Sequence, residues 1–388
     1  MPNPFILKIL AEEGLGADCS SLPELLLADM AGMKGEELMF SSNETPAKEY
    51  LKAAELEAVI NLDDFTHINF LEKVLNKTDG SKKSGLPELV SCRYNPGPLK
   101  EGNAIIGKPE EAKYGFTREQ LFEGYKLLKA KGVKRFGLHI MVASNELSLD
   151  YHLETGKLLF ELALEIKAKC GVDLEFINLG GGLGIPYRPE QEAVNWEELA
   201  GGLKELYDEI LVKGGLDGIA IHSEYGRPIT GPYGWLVTRA IHKKEIYRSY
   251  IGLDACMADL MRPGLYGAYH HISIPGKENA PHDKVYDVVG SLCENNDKFA
   301  VQRKLPKIDV AAESVNSGAS STFGGAGDFV VIHDAGAHGR AMGFNYNGKL
   351  RCGELLLRPD SSIIQIRRSE TAEDYFATLD LDKLKGFH

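Results

Sequence analysis

Three segments of the sequence place glycines, hydroxyls or charged residues directly after apolar runs. In the first, NLGGGLG at 178–184, three consecutive glycines end the run 174–179. Glycines let backbone N–H groups turn toward an anion and approach it closely, so this segment suggests a phosphate site. A tight structural turn has the same composition, and the segment alone leaves both interpretations open.

The second segment, HSEYGR at 222–227, also follows an apolar run. The Glu224 carboxylate could be the proton partner of a ring nitrogen, and the Arg227 guanidinium could bind a carboxylate or phosphate. A salt-bridged turn is the alternative. The third segment, 137–145, ends in a hydroxyl at Ser144 that could bind phosphate, with a helix cap as the alternative.

Two polar clusters lie in the second half of the chain. Arg262 and Tyr266 stand four residues apart, and Cys293 directly precedes Glu294. A lone cysteine is more often a small core residue. Here the flanking Glu, Asn and Asp argue against a buried apolar setting, so Cys293 is predicted to be a working thiol.

Short β-type runs alternate with amphipathic stretches up to about residue 225. This alternation predicts a parallel sheet with helices outside it, in which the polar segments meet at the carboxyl ends of the strands. Seven strands are predicted, at 16–19, 38–41, 58–62, 88–92, 136–141, 174–179 and 218–224. Because a closed barrel has eight strands and the chain opens with a helix, we expect a (β/α)8-type barrel that lacks its first strand, upstream of Met1.

Two helix starts have the spacing of a capping box, in which a hydroxyl and a carboxylate or amide satisfy two backbone N–H groups reciprocally. The pairs are Ser21 with Glu24 and Thr117 with Gln120. They support helices between the strands independently of hydrophobicity.

Beyond residue 240 the pattern changes to short β-type runs separated by Gly, Pro, Asp and Asn. The runs are at 245–247, 250–253, 285–289, 329–333 and 363–366. They predict a mainly antiparallel β domain. The predicted domains are therefore an α/β barrel over 1–238 and a β domain over 239–388, with a polar surface loop or linker at 314–327.

Composition excludes several classes of protein. Lys and Arg total 44 against 56 Asp and Glu, and the net charge of -12 argues against nucleic acid or an anionic membrane as a partner. The chain shows no apolar run of bilayer length and no signal-peptide pattern, so a cytoplasmic location is expected. Six cysteines without CxxC spacing predict free thiols, and no metal site is predicted.

Together these segments resemble the fold type III (alanine-racemase-fold) pyridoxal-phosphate decarboxylases, and most closely the diaminopimelate decarboxylases. Five motifs carry the resemblance in the family's order and across essentially the whole chain. They are NLGGGLGIPY at 178–187, EYGRPITG at 224–231, LDACMADLMRPGLYGAYHHI at 253–272, VVGSLCENNDKF at 288–299 and HDAGAHGRAMGFNYN at 333–347.

The resemblance implies pyridoxal 5'-phosphate as cofactor, and decarboxylation of meso-2,6-diaminopimelate to L-lysine and carbon dioxide. Residues implied to bind the cofactor are Ser144, Gly181, Gly182, Glu224, Gly226, Arg227 and His338. Residues implied to bind the amino-acid substrate are Arg227, Arg262, Tyr266 and Glu294. Cys293 would be the catalytic acid, reaching in from the partner subunit of a homodimer with shared active sites. The Arg262/Tyr266 pair and the Cys-Glu order favour diaminopimelate over ornithine.

The sequence also departs from the family pattern. The family's Schiff-base lysine falls just before the position of Met1, so the resemblance implies that this lysine lies upstream. Met141 stands where the family has a histidine that stacks on the cofactor, and His338 stands where it has a tyrosine. Tyr225 replaces a proline.

Three hypotheses remain open at this point. The first is a diaminopimelate decarboxylase whose recorded sequence starts late. The second is a catalytically silent regulatory paralogue. The third is a sibling decarboxylase of another basic amino acid or a carboxypolyamine.

Overall fold

A computed structural model describes residues 3–77, 85–102, 105–311 and 327–384. Contacts divide the chain into two compact units. The first contains Met1–Pro186 and Glu192–Pro228, and the second contains Tyr187–Gln191 and Ile229–His388. The predicted boundary after residue 238 falls inside a strand of the second unit, Leu236–Glu245.

The first unit is built on one curled, seven-stranded sheet whose strands pair in sequence order, each parallel to the next. Its strands are β1 (Ala17–Cys19), β2 (Leu38–Ser41), β3 (Val59–Leu62), β4 (Leu89–Tyr94), β5 (Arg135–Ile140), β6 (Leu174–Asn178) and β7 (Ala220–His222). All seven predicted strands are present, and the predicted barrel-type sheet is confirmed. Within the described residues no ladder joins β7 to β1.

A helix precedes β1, one helix connects each pair of successive strands of this sheet, and a short helix follows β7. They are α1 (Pro4–Glu12), α2 (Leu22–Met30), α3 (Ala47–Glu55), α4 (Thr66–Lys77), α5 (Arg118–Ala130), α6 (Leu149–Cys170) and α7 (Trp196–Leu206), followed by the short α8 (Gly226–Thr230). The π-helical turn Tyr207–Val212 extends α7. Short 3-10 turns lie at Gly35–Glu37, Gly97–Leu99, Pro109–Glu111, Gly231–Tyr233, Arg340–Met342 and Tyr346–Gly348.

The two predicted capping boxes have different outcomes. At α5, the Gln120 N–H donates to Thr117 Oγ1 and the Thr117 N–H donates to Gln120 Oε1, which confirms the prediction. At α2 the prediction is wrong, because the Ser21 side chain makes no capping hydrogen bond. The Glu24 carboxylate accepts instead from the N–H (2.8 Å) and hydroxyl (2.9 Å) of Ser20.

The two faces of the sheet differ in chemistry because side chains alternate along a strand. One face packs against the helices and forms the large apolar core. On the other face, Val59, Leu89 and Phe176 form a small apolar cluster with Met39. On each of these four strands, the residue two positions after the apolar one points to the same face and is polar. These residues are Ser41, Asn61, Ser91 and Asn178. The polar end of this inner face therefore lies where the motif segments emerge.

The second unit contains a six-stranded sheet and a separate two-stranded sheet. The strands are β8 (Leu236–Glu245), β9 (Ser249–Leu253), β10 (Ile272–Ser273), β11 (Lys284–Val289), β12 (Lys298–Leu305), β13 (Phe329–Ile332), β14 (Glu354–Leu357) and β15 (Ile363–Arg367). The larger sheet has the order β10-β13-β8-β9-β11-β12, and only the β9–β11 pair is parallel. The prediction of a mainly antiparallel domain is confirmed.

Four of the five predicted β runs coincide with β9, β11, β13 and β15. The prediction of a strand at 245–247 is wrong, because β8 ends at Glu245 and the chain then turns into β9. Most of β8, and all of β10, β12 and β14, were not predicted. The remaining helices are α9 (Arg262–Tyr266), α10 (Ala372–Phe376) and α11 (Leu381–Leu384).

The predicted surface loop 314–327 lies outside the described residues except for Gly327, which is buried. A Cβ at Gly327 would come within 2.1 Å of the Ala240 carbonyl oxygen, so this end of the segment packs tightly. Among the helices in the described ranges, none combines the length and the apolar character needed to cross a membrane.

Candidate active site

The Glu224 carboxylate is the centre of a polar cluster at the carboxyl ends of β5, β6 and β7. Asn178 Nδ2 donates to Glu224 Oε1 at 2.8 Å, and His139 Nε2 lies 3.2 Å from the same oxygen. The Asn178 Oδ1 accepts from the Gly180 N–H at 2.8 Å. Side chains from the two adjacent strands β5 and β6 thus hold the carboxylate in one orientation.

These neighbours determine the charge of Glu224. Burial by itself would raise the pKa of Glu224. The charge and hydrogen bond of His139, the hydrogen bond from Asn178 and the charge of Arg93 outweigh that effect and lower the pKa. Glu224 is therefore ionised at neutral pH.

The glycine segment after β6 packs directly on the segment after β5. Gly180 and Gly182 have φ of +69° and +99°, a region that glycine tolerates best. A Cβ would lie 1.9 Å from the Ile140 carbonyl oxygen at Gly180, and 2.7 Å from the Ala143 carbonyl oxygen at Gly182. These two glycines therefore permit a close approach of backbones that no other residue allows.

The structure brings the predicted cofactor residues of the first unit together. Arg227 is buried, and its Nη2 donates to Ser144 Oγ at 3.1 Å. A Cβ at Gly181 would lie 2.9 Å from the Glu224 carbonyl oxygen, which places the glycine segment beside Glu224. At Gly226, by contrast, a Cβ would meet no atom within 4 Å. The backbone at the start of α8 therefore faces open space.

Met141 lies within this cluster, where it replaces the family's histidine. The Gly181 N–H donates to Met141 Sδ at 3.3 Å. A thioether is a weak acceptor that cannot donate a hydrogen bond in return. This position can therefore provide a polarisable contact surface but no proton.

Several polar residues of the inner face were not predicted as part of the site. Asn61 Oδ1, Ser91 Oγ, Arg93 Nε and His139 Nδ1 are buried and have no hydrogen-bond partner among the described residues. Such orphaned groups are costly unless a further group satisfies them. The signal was available in the sequence, because polar residues recur at alternate positions in strands that are otherwise apolar.

Asp18 on β1 also belongs to this face, and it is an exposed residue. Desolvation by the surrounding protein, together with the nearby negative charge of Glu224, raises the pKa of Asp18. The two carboxyl groups therefore differ in proton affinity, and Glu224 is the one that stays ionised.

In the second unit Arg262 is a buried guanidinium at the start of α9. Arg262 Nη1 donates to His270 Nε2 at 2.8 Å, and the guanidinium lies 4.4 Å from the centre of the Tyr187 ring. His270 Nδ1 is 2.8 Å from the His333 carbonyl oxygen and donates to it. His270 is therefore the neutral tautomer with its proton on Nδ1, and its Nε2 accepts from the arginine.

The predicted Cys293 and Glu294 lie in the turn between β11 and β12. Cys293 is exposed, and Glu294 Oε1 accepts from the Asn296 N–H at 3.2 Å. The buried Asp297 carboxylate accepts from the N–H groups of Leu292 and Met257, both at 2.7 Å. Asp297 thus anchors the turn and leaves the thiol at its surface.

The remaining predicted residues also lie in the second unit. Tyr266 is 46% exposed at the end of α9. His338 is exposed and has φ of +53°, in the loop that follows β13. A Cβ at Gly264 would lie 2.7 Å from the Asn296 carbonyl oxygen, so α9 packs against the turn that carries Cys293. The second unit therefore holds Arg262, Tyr266, Cys293 and Glu294 on neighbouring segments.

The inner face of the first unit fits pyridoxal phosphate. Glu224 would offer an ionised carboxylate to the pyridine nitrogen, and the open backbone at Gly226 would leave room for the phosphate. The orphaned polar atoms of β3, β4 and β5 can be satisfied by further groups at the same face. Among the described residues no cluster of His, Cys, Asp or Glu is arranged to hold a metal ion.

This fold and this site define the class of pyridoxal-dependent decarboxylases. The family described as "Pyridoxal-dependent decarboxylase, pyridoxal binding domain" matches residues 1–231. The chain belongs to this family of amino-acid decarboxylases and uses pyridoxal phosphate, as the sequence predicted.

Individual proteins of known sequence or structure are also similar to this chain. Protein TabA of Pseudomonas amygdali pv. tabaci is 40% identical over 388 residues, which cover 100% of this chain and 85% of that protein. The diaminopimelate decarboxylase of Methanothermobacter thermautotrophicus is 32% identical over 96% of this chain and 81% of that protein. The crystal structure of diaminopimelate decarboxylase from M. jannaschii has a TM-score of 0.83 at 26% identity, covering 97% of this chain and 82% of that one.

Proposed function

We propose that this protein decarboxylates meso-2,6-diaminopimelate to L-lysine and carbon dioxide. The observation that carries the proposal is the buried Glu224 carboxylate, kept ionised by His139 and Asn178. The choice of substrate is supported by the Arg262/Tyr266 pair and by relatives named diaminopimelate decarboxylase.

In the first unit, bound pyridoxal phosphate supplies a protonated ring that accepts the electron pair left by departing carbon dioxide. Glu224 holds the proton on the ring nitrogen, because an ionised carboxylate stabilises the protonated form. The phosphate group is bound by Ser144, Gly181, Gly182 and Gly226. His338 of the second unit donates a further hydrogen bond to it.

In the second unit, Arg262 and Tyr266 bind a carboxylate of the substrate, together with Arg227. Glu294 binds its amino group at the reacting end. Cys293 returns a proton to the α-carbon and reaches the site from the partner subunit of a homodimer. Its exposed position in the turn is compatible with that role.

A second candidate is decarboxylation of a related basic amino acid or carboxypolyamine. The relatives leave room for it, because Protein TabA, at 40% identity, carries a name that states no substrate, while the diaminopimelate decarboxylase of M. thermautotrophicus is 32% identical. Met141 and His338 also stand at motif positions where the family has other residues.

Carbon dioxide release by the protein with pyridoxal phosphate tests the proposal, using meso-diaminopimelate, ornithine, lysine and carboxyspermidine. Preferred turnover of meso-diaminopimelate is the expected result. Preference for another substrate would establish the second candidate. An absence of turnover together with no absorbance near 420 nm would support a silent regulatory paralogue, and the Glu224→Gln variant serves as the inactive control.

A further inference from the structure

A cationic groove of about 280 Å³ lies in the second unit, beside α9 and β12. Its walls carry the three cations Arg188, Lys298 and Arg303, together with Tyr269. The remaining lining residues are Pro263, Gly267, Ala268, Phe299, Ala300 and Val301. The lining contains no carboxylate, although the whole chain has a net charge of -12. A local positive potential of this kind attracts anions.

The two guanidiniums share one aromatic ring. The Arg303 guanidinium carbon lies 3.8 Å from the centre of the Tyr269 ring, and that of Arg188 lies 4.8 Å from the same centre. Cation–π contacts of this type orient a guanidinium but do not neutralise it. Within the described ranges, no Asp or Glu carboxylate forms an ion pair with Arg188, Lys298 or Arg303.

A hydrogen bond to the backbone holds one of the groove's arginines in position. Arg303 Nη1 donates to the His270 carbonyl oxygen at 3.0 Å, which fixes the position of this guanidinium in the lining of the groove. Burial and the neighbouring charge of Arg188 both lower the pKa of Arg303. Two like charges brought together without a counterion are unfavourable, and a bound anion removes that cost.

We propose that this groove binds a small oxyanion, a phosphate or carboxylate group carried by a small metabolite. The planar guanidiniums suit bidentate contacts to such a group. The apolar residues of the lining can pack against the carbon skeleton that carries it. The site is distinct from the residues assigned above to the cofactor and the substrate, and it does not depend on the proposed substrate.

Isothermal titration calorimetry of the natural protein loaded with pyridoxal phosphate tests this site, using inorganic phosphate and succinate at an ionic strength fixed with potassium chloride. Saturable binding of at least one of the two is expected, and the tighter one identifies the preferred oxyanion. Arg188→Gln and Arg303→Gln should each weaken binding by about tenfold, the loss of one charge-assisted hydrogen bond.

Lys304→Gln is the matched control, because Lys304 is exposed, follows Arg303 on the same strand and does not line the groove. It should bind as tightly as the wild type. Ser144→Ala should also leave binding unchanged, which separates this site from the cofactor phosphate site. If no saturable binding occurs, if exposed Arg188→Gln binds like the wild type, or if Ser144→Ala abolishes binding, the proposal is overturned. Because Arg188 is exposed, its variant tests the site even if Arg303→Gln fails to fold.

Discussion

The Asn178 side chain joins two functions, since its Nδ2 donates to the Glu224 carboxylate at 2.8 Å and its Oδ1 accepts from the Gly180 N–H at 2.8 Å. One amide therefore fixes both the ionised carboxylate and the first turn of the glycine segment.

Replacing Asn178 should change the pH dependence of the reaction. Asn178→Leu removes a hydrogen bond that lowers the pKa of Glu224, so this pKa rises, and activity that needs ionised Glu224 is lost at a higher pH. We expect the acid limb of kcat/KM to move up by about one pH unit. Asn76→Leu, at an exposed position on α4, should not move it. An unshifted acid limb in Asn178→Leu would show that Glu224 does not govern this limb.

Arg262 should control substrate binding. Arg262→Gln removes a charged donor for the substrate carboxylate, and we expect kcat/KM for diaminopimelate to fall by about ten- to a hundredfold. The exposed Arg358→Gln removes the same charge on the surface and should have no effect. Steady-state kinetics check both variants, and equal activity in the two would remove Arg262 from the substrate site.

Substitution by alanine should have different effects at Gly226 and at Gly180. Gly226→Ala meets no atom within 4 Å, so the protein should fold normally but bind pyridoxal phosphate less tightly, because the new methyl group occupies the space assigned to the phosphate. Gly180→Ala would clash with the Ile140 carbonyl oxygen and should destabilise the fold.

Cofactor titration and thermal unfolding distinguish these two effects. Gly201→Ala, also without neighbours within 4 Å and located in α7, is the control with unchanged affinity. If Gly226→Ala binds pyridoxal phosphate as tightly as the wild type, the cofactor phosphate does not lie close to Gly226.

Thr117, which caps α5, and Ser21, which makes no capping hydrogen bond at α2, give a matched pair for stability. Thr117→Ala removes the side-chain hydrogen bond to the Gln120 N–H and should cost about 1 kcal/mol of unfolding free energy. Ser21→Ala should be nearly neutral, because Ser21 makes no such bond. Chemical denaturation of both variants measures the difference, and a larger loss for Ser21→Ala would contradict the observed capping.

Glu370 should contribute to stability in a pH-dependent manner. Its hydrogen bonds from the Arg351 side chain lower the pKa of Glu370 to about 2, with the Arg351 N–H and Asn345 also donating. A lowered pKa in the folded state gives stability that is present above the usual value of 4.5 and is lost as pH falls toward 2.

Glu370→Gln should therefore be less stable than the wild type at pH 7, and the difference should shrink between about pH 5 and pH 2. Denaturation across this pH range checks the prediction, with exposed Glu190→Gln as the control. A constant difference at all pH values would show that the effect does not come from the charge of Glu370.

Much of the fold could be predicted because the strands of the first unit are short apolar runs with helical segments between them. The strand β8 was missed because its second half, with His242, Lys243 and Lys244, is exposed and has no apolar alternation. The prediction of a cap at Ser21 was wrong because the spacing cannot show whether Glu24 contacts Ser21 or Ser20. Capping depends on side-chain direction, which the sequence does not encode locally.

By itself, the sequence determined the order of the motifs and the parallel sheet, since these follow from local residue types and spacing, and the cofactor class followed from the resemblance of the motifs to a known family. The tertiary structure alone decided that Asn178 and His139 share one oxygen of Glu224, and that Asn61, Ser91 and Arg93 face the same site. It also placed Arg188, whose segment Tyr187–Gln191 is separated in sequence from the rest of the second unit, against Tyr269 and near Arg303 of that unit. These relationships join residues far apart in the chain, and only the curvature and register of the sheets bring them together.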